Sequence, residues 1–424
     1  MIDIFSKIFI NKKSKNFYSQ DFANIDKKTD IKKIFHSISN FSEQSEIRYV
    51  GGIIRKIINK EKINDIDLAT NLTPNEICEI LKKNKIVFYE SGIDHGTITA
   101  KINENKFEIT SLRKDISTDG RHAEIEFSQD WYEDASRRDF TFNAIYADYD
   151  GNLYDPFDGK KDLELGIVKF IGDPEKRIKE DYLRILRYIR FFLNYSKQQH
   201  DENLKKIIKQ NIIGISKISS ERLLDELKKI ILSDGFLKIS KDKFSKEILT
   251  LIFPQLINLE IFANLNDHSR EIIIKKDFIF LISLMIIDNT DNSDYFVYKY
   301  NLSNEDKKKI KFLSSVYSKE KDKNFFKEKN LWKIFYYNGK EYLCDLIDFK
   351  IFQNKKLDKN LINLKIFFNN QEIPKLEVKA KTLIDKFNYK EGKELGAKLK
   401  EIEEFWIENS FKISDKELNK IIKD

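Results

Sequence analysis

Glycine and proline are spread unevenly along the 424 residues, and this asymmetry limits the architectures open to the chain. Nine of the 14 glycines lie at or before Gly172, and three of the five prolines at or before Pro174. Turn residues at that density punctuate short strands and helices. Residues 175–424 carry only five glycines and two prolines. Apolar residues recur there at helical spacing, as in EKNLWKIFYYNGKEYLCDLIDFKIF (328–352) and GKELGAKLKEIEEFWIE (392–408). The expected fold class is therefore α+β: a mixed sheet flanked by helices at about 45–150, a transition over 151–215, and all-helical regions at 216–330 and 331–424. Residues 1–44, polar and lysine-rich with scattered aromatics, are read as an N-terminal arm or an extra helix.

Composition restricts function less than it restricts fold. Charged residues make up 34% of the chain, above the roughly 25% of an ordinary domain. Net charge is only +7, from 76 basic and 69 acidic residues, which permits a polyanionic partner without requiring one. Cys78 and Cys344 are far apart, with no zinc or disulfide spacing, which fits a reducing cytoplasm. The opening MIDIFSKIFINKKSK has an acid at Asp3 and no small-residue cleavage site, so it does not read as a signal peptide. The longest uncharged run, FIFLISLMII at 278–287, is about half the roughly 20 residues of a membrane span and reads as a buried helix.

Four stretches of the turn-rich region carry candidate chemistry. NDIDLAT (64–70) alternates as a half-buried strand, so Asp65 and Asp67 share a face while Ile66 and Leu68 turn inward. Carboxylates that close repel one another, and a divalent cation offsets the repulsion; a solvated strand face is the plainer alternative. TITAKI (97–102) and FEITSL (107–112) flank Asn-Glu-Asn-Lys as a hairpin, on which Glu108 offers a third carboxylate for a two-metal site. RYV (48–50) runs into Gly51-Gly52 and a helix with Arg55 one turn in, an anion-binding arrangement or an ordinary strand–helix turn. SRRDFTFNAIYAD (136–148) sets Arg137, Arg138 and Asp139 before an apolar helix carrying Asn143. Asp139 there caps the helix or accepts a ribose hydroxyl.

IKEDYLRILRYIRF (178–191) repeats arginine at Arg184, Arg187 and Arg190. On a single helix, Asp181, Arg184 and Arg187 fall opposite the apolar arc, with Arg190 at the seam. A solvated face with ion pairs would be served equally by lysine, whereas guanidinium beside carboxylate suits planar hydrogen bonding. Cytosine and adenine both present an amino donor next to a ring-nitrogen acceptor, and uracil and guanine the reverse. Asp181 with Arg184 matches the first pattern.

In this order and spacing the motifs resemble those of class II tRNA nucleotidyltransferases, the CCA-adding enzyme and poly(A) polymerase family of the polymerase-β superfamily. VGGIIRKIINKEKINDIDLAT, SGIDHGTITA, FEITSLRKDISTDGRHAEIEF, RRDFTFNAIY and EDYLRILRYIRF carry the resemblance over 48–195, and ISSERLLDELKKII (218–231) extends it less specifically. The resemblance implies a polymerase-β-like head followed by helical neck, body and tail. Asp65 and Asp67 would hold Mg²⁺, with Glu108 as third carboxylate. Gly51, Gly52, Arg55, Arg138, Asp139 and Asn143 would bind the nucleotide. Asp181 and Arg184 would read its base, and Arg187 and Arg190 would also contact it. The expected partners are CTP, ATP and the 3′ end of tRNA, gripped by shape through the helical regions, with no membrane and no particular oligomeric state implied. The family usually has aspartate after the motif arginine, where this chain has Lys56. No His-Asp pair of the phosphohydrolase type occurs in the sequence, so that domain is not expected. ATP-only addition is the nearest enzymatic alternative, and an inactive RNA-binding relative is the alternative from another class.

Overall fold

The computed structural model describes residues 18–63, 65–118, 123–263, 265–317, 325–354 and 358–423. The chain divides into two compact units after Ile252.

The first unit is organised on a mixed sheet of seven strands. They are β1 (Ile47–Val50), β2 (Asp67–Thr70), β3 (Val87–Gly92), β4 (Thr97–Ile102), β5 (Asn105–Ser111), β8 (Tyr146–Ala147) and β9 (Leu153–Tyr154), in the order β3-β4-β5-β2-β1-β8-β9. A separate hairpin pairs β6 (Arg113–Thr118) with β7 (Ala123–Phe127). Within the large sheet β2 and β5 are parallel, and every other pairing is antiparallel. Strand β4 shows why these residues choose a sheet: Ile98, Ala100 and Ile102 are buried while the alternate residues are half-buried. The β4–β5 connection is tighter than the four residues expected. Ile102 pairs with Asn105, leaving a two-residue turn in which Asn103 takes φ 53°, a left-handed conformation that asparagine tolerates.

Two expected elements differ. Residues 140–147 are not an apolar helix but one 3₁₀ turn, Thr141–Asn143, followed by β8. Phe140, Phe142, Ala144, Ile145, Tyr146 and Ala147 are all buried. A run buried on every side carries no period that separates helix from strand. The arginine stretch is likewise not one helix. It breaks at Asp181, whose backbone is extended (φ −153°, ψ 104°), between helices Pro174–Glu180 and Arg184–Tyr195. The Asp181 side chain accepts the Leu183 N–H at 3.2 Å, a local turn that competes with helix.

The described part of the N-terminal segment forms two helices, Ser19–Thr29 and Lys32–Ser39. Their Phe22 and Phe35 rings pack on Tyr49 of β1 at 4.7 and 4.8 Å. Helix Gly159–Leu165 abuts the 3₁₀ turn so closely that a Cβ on Gly159 would lie 2.2 Å from the Thr141 carbonyl oxygen. Gly159→Ala is expected to cost about 1–3 kcal/mol, read as a lower melting temperature.

The second unit is helical. All nine residues of Phe278–Ile286 are buried, as expected of a core helix. Helix Glu328–Gln353 is interrupted at Gly339, where φ is 84°; its Phe335, Leu343 and Ile347 form a core with Leu361 and Phe368. A smaller cluster gathers Leu383, Leu395 and Ile402. Among the described residues no helix is long and apolar enough to cross a membrane.

Candidate active site

Parallel pairing of β2 with β5 sets Asp67 directly beside Glu108. Burial, then the Glu108 and Asp65 charges, raise the Asp67 pKa, while Arg138 and Lys56 pull it down. The crowding inferred from Asp-x-Asp is therefore present, though Asp65 stands exposed just before β2 rather than in it. A Cβ on Gly52 would lie 4.0 Å from Asp67 Oδ2 and from the Arg55 guanidinium. The glycine thus brings the β1–helix turn close to the carboxylate. Gly51 takes φ 65°, a conformation that favours glycine.

These groups open into a cleft of about 760 Å³, whose lining holds Gly51, Gly52, Arg55, Asp67, Glu108, Arg138, Asp139, Asn143, Asp181, Arg184, Arg187 and Arg190. Of the site residues expected from the sequence, only Asp65 is not part of that lining. Lys56 is not part of it either, but its charge reaches Asp67.

One wall is cross-linked by polar contacts. Arg55 donates through Nη1 to Asn143 Oδ1 and through Nε to the Tyr195 hydroxyl at 3.2 Å. Asn143 donates in turn to Asp139 Oδ1 at 2.8 Å, and Arg187 Nε donates to Asp139 Oδ2 at 2.6 Å. Burial alone would raise the Asp139 pKa, but Arg187 and Asn143 outweigh it and hold the carboxyl below its ordinary value. Asp139 is therefore not the helix cap considered above: it bonds Asn143, Arg187 and the Phe140 N–H. Beneath Arg138, the carboxylate of Asp134 accepts from Arg137, Arg138 and Tyr146.

Asp181 and Arg184 share the cleft and are joined through the backbone, Arg184 N–H to the Asp181 carbonyl at 3.0 Å, while their side chains bond elsewhere. Arg184 Nη1 donates to Glu180 at 2.5 Å and to the Arg177 carbonyl at 2.8 Å, while Asp181 Oδ2 accepts from Arg222 at 2.8 Å. Sequence reasoning missed Glu180, Asp134 and Arg222 as members of this network. Arg222 lay within ISSERLLDELKKII, and nothing in its local pattern pointed 41 residues back to Asp181. Among the described residues no three His, Cys, Asp or Glu side chains are grouped to hold a metal ion by themselves.

A sheet that pairs two carboxylates at the floor of an arginine-walled cleft has the fold of a polymerase-β-type nucleotidyltransferase head. The family model "Poly A polymerase head domain" matches residues 47–169, and "Probable RNA and SrmB- binding site of polymerase A" matches 200–259. The CCA tRNA nucleotidyltransferase 1, mitochondrial, of Mus musculus is 45% identical over 195 residues, a match spanning 45% of each chain and so less than half of the mouse protein's length. The CCA-adding enzyme of Lactococcus lactis is 30% identical over 391 residues, 87% of this chain and 89% of its own. The crystal structure of the Bacillus stearothermophilus CCA-adding enzyme in complex with CTP superposes with a TM-score of 0.69, covering 90% of this chain and 93% of that one at 19% identity, and so shares the fold. The chain belongs to the CCA-adding enzyme family.

Proposed function

We propose that the protein adds CCA to the 3′ end of tRNA, using CTP and ATP and releasing pyrophosphate. The observation that carries this reading is that Asp181 and Arg184 line the same cleft as Asp67 and Glu108. A base-reading couple and a phosphoryl-transfer floor then serve one bound nucleotide. The names of the mouse and Lactococcus relatives support the substrate, and the match over 200–259 supports RNA as the acceptor.

Asp67 and Glu108, with Asp65 beside them, fit a divalent cation: parallel pairing sets the first two side by side, and burial, then the neighbouring carboxylates, disfavours the Asp67 charge until a cation offsets it. Mg²⁺ takes one or two carboxylates and completes its shell with phosphate oxygens, which suits a floor without a closed three-ligand cluster. When bound, Mg²⁺ supplies the charge that acidifies a priming 3′-hydroxyl and offsets the triphosphate. Arg55 and Arg138 hold the triphosphate, with Gly51 and Gly52 leaving it room. Asp139, fixed by Asn143 and Arg187, turns a remaining lone pair to the ribose. Asp181 accepts the amino proton of cytosine or adenine, Arg184 donates to the adjacent ring nitrogen, and Arg187 and Arg190 screen the nucleotide's charge. Two free cysteines widely separated in the sequence, Cys78 and Cys344, suit a reducing compartment such as the cytoplasm.

The test is incubation of the purified protein with Mg²⁺, CTP, ATP and tRNA lacking its 3′ end. Extension by three nucleotides is expected. A long adenosine tract would identify a poly(A) polymerase, addition of a single adenosine an A-adding enzyme, and tRNA binding without transfer an inactive relative. Incorporation of UTP or GTP alongside CTP would refute the pairing-edge argument. Asp181→Ala is expected to relax base choice by roughly 5- to 150-fold, the worth of one bidentate contact, with competing CTP and UTP as the readout.

A further inference from the structure

We infer that Arg222, on the Ser220–Ile231 helix, aims the Asp181 carboxylate and is a positioning residue for base choice; this rests on the base-reading role proposed above. Asp181 sits where two helices break, in extended backbone, so helix geometry does not fix its side chain. What fixes it is a pair of contacts: Oδ1 accepts the Leu183 N–H at 3.2 Å, and Oδ2 accepts Arg222 Nη2 at 2.8 Å. The Arg184 side chain, the other half of the expected base-reading couple, is engaged with Glu180 and the Arg177 carbonyl.

The same helix fastens the far end of the arginine row. One turn beyond Arg222, Glu226 Oε1 accepts from Arg190 Nε at 2.6 Å, with the Glu226 side chain only 2% exposed. Spacing of i and i+4 puts Arg222 and Glu226 on one face. That face therefore registers both Asp181 and Arg190 against a single rigid element. Arg222 also lines the cleft itself.

The chemistry follows from counting acceptors. A carboxylate has about four lone-pair sites, and the two contacts above occupy two of them. Those that remain point where Arg222 lets them point. With Arg222 gone, the freed carboxylate is drawn to Arg187, whose charge it already feels. The amino-accepting edge is then lost while the floor and the triphosphate contacts stay.

The experiment compares the full chain with Arg222→Met and Arg222→Lys, measuring kcat/KM for CTP, ATP and UTP on tRNA lacking its 3′ end, together with inhibition by pyrophosphate. The expected result for Arg222→Met is a fall in CTP-over-UTP preference of about tenfold or more, the scale of one charge-assisted contact, with inhibition by pyrophosphate unchanged and partial recovery in Arg222→Lys. An equal loss for all three nucleotides, or weakened pyrophosphate inhibition, would overturn the inference and leave Arg222 a purely structural residue. If Arg222→Met does not fold by thermal melt, Arg222→Lys decides: preference unchanged from the native protein overturns the inference, and reduced preference supports it. A native protein that does not prefer CTP to UTP would instead sink the base-reading proposal, and this inference with it.

Discussion

Asp67→Asn is expected to lower nucleotide transfer at least about 10³-fold, while the first unit becomes no less stable than the native protein. The two effects share one cause. Asp67 is held beside Glu108 by parallel strand pairing, and burial together with Glu108 and Asp65 raises its pKa. A group whose ionised form is disfavoured in the fold costs stability at neutral pH. Neutralising it in place relieves that cost, because the asparagine amide is nearly isosteric and can donate to Glu108. The same change removes the anion that the metal and the reacting phosphate require, and a thousandfold is about 4 kcal/mol of barrier. Single-turnover transfer and a thermal melt measured on the same preparation check both halves. A variant that transfers at the native rate would remove Asp67 from the reaction. One that melts well below the native protein would show that the carboxylate stabilises the fold.

What the sequence showed of this fold was set by the range over which each signal acts. The β1 turn through Gly51-Gly52 and the alternation in β4 and β5 are short-range patterns, and the structure follows them closely. Where burial is complete the pattern disappears. Phe140 to Ala147 offer no polar residue to mark a period, apart from Thr141 and Asn143, which are buried too. There the helix expected from the run proved to be a 3₁₀ turn and a two-residue strand paired between β1 and β9. Asp181 illustrates a different limit. The apolar period continues through it, yet an aspartate that can bond its own backbone two residues on ends one helix and starts the next. The site divides along the same line. Residues that recur at local spacing, such as Arg184, Arg187 and Arg190, were legible. Partners supplied from a distant segment, Arg222 to Asp181 and Glu226 to Arg190, were not, because no local pattern encodes which helix will lie alongside.

Asp134 is the buried charge whose loss is expected to cost the first unit most. Its carboxylate is 1% exposed, and both oxygens are engaged. Arg137 reaches Oδ1 at 2.7 Å, Arg138 reaches Oδ2 at 2.9 Å, and the Tyr146 hydroxyl donates to Oδ2 at 2.6 Å. Asp134→Asn turns one of those acceptors into a donor facing donors and leaves the guanidiniums without a counter-charge. Breaking a buried pair from one side costs about 3–5 kcal/mol, or roughly 6–20 °C in a domain of this size. Because Arg138 lines the cleft, KM for the nucleotide is expected to rise as well. The pH dependence separates charge from packing. Burial would raise the Asp134 pKa, but Arg138, Arg137 and Tyr146 outweigh it and hold the carboxyl well below the usual range. A depressed carboxylate contributes stability that is fully present above its unfolded value of about 3.9. That stability is lost as pH falls toward the folded value. The gap in melting temperature between native and Asp134→Asn proteins should therefore be widest near neutrality and narrow steadily below about pH 4. Other depressed carboxyls, Asp139 and Glu180 among them, steepen both acid limbs alike and cancel in that difference. A gap that stays constant from pH 7 to 3 would mean that the asparagine disturbs packing alone and that the native carboxyl carries no stabilising charge.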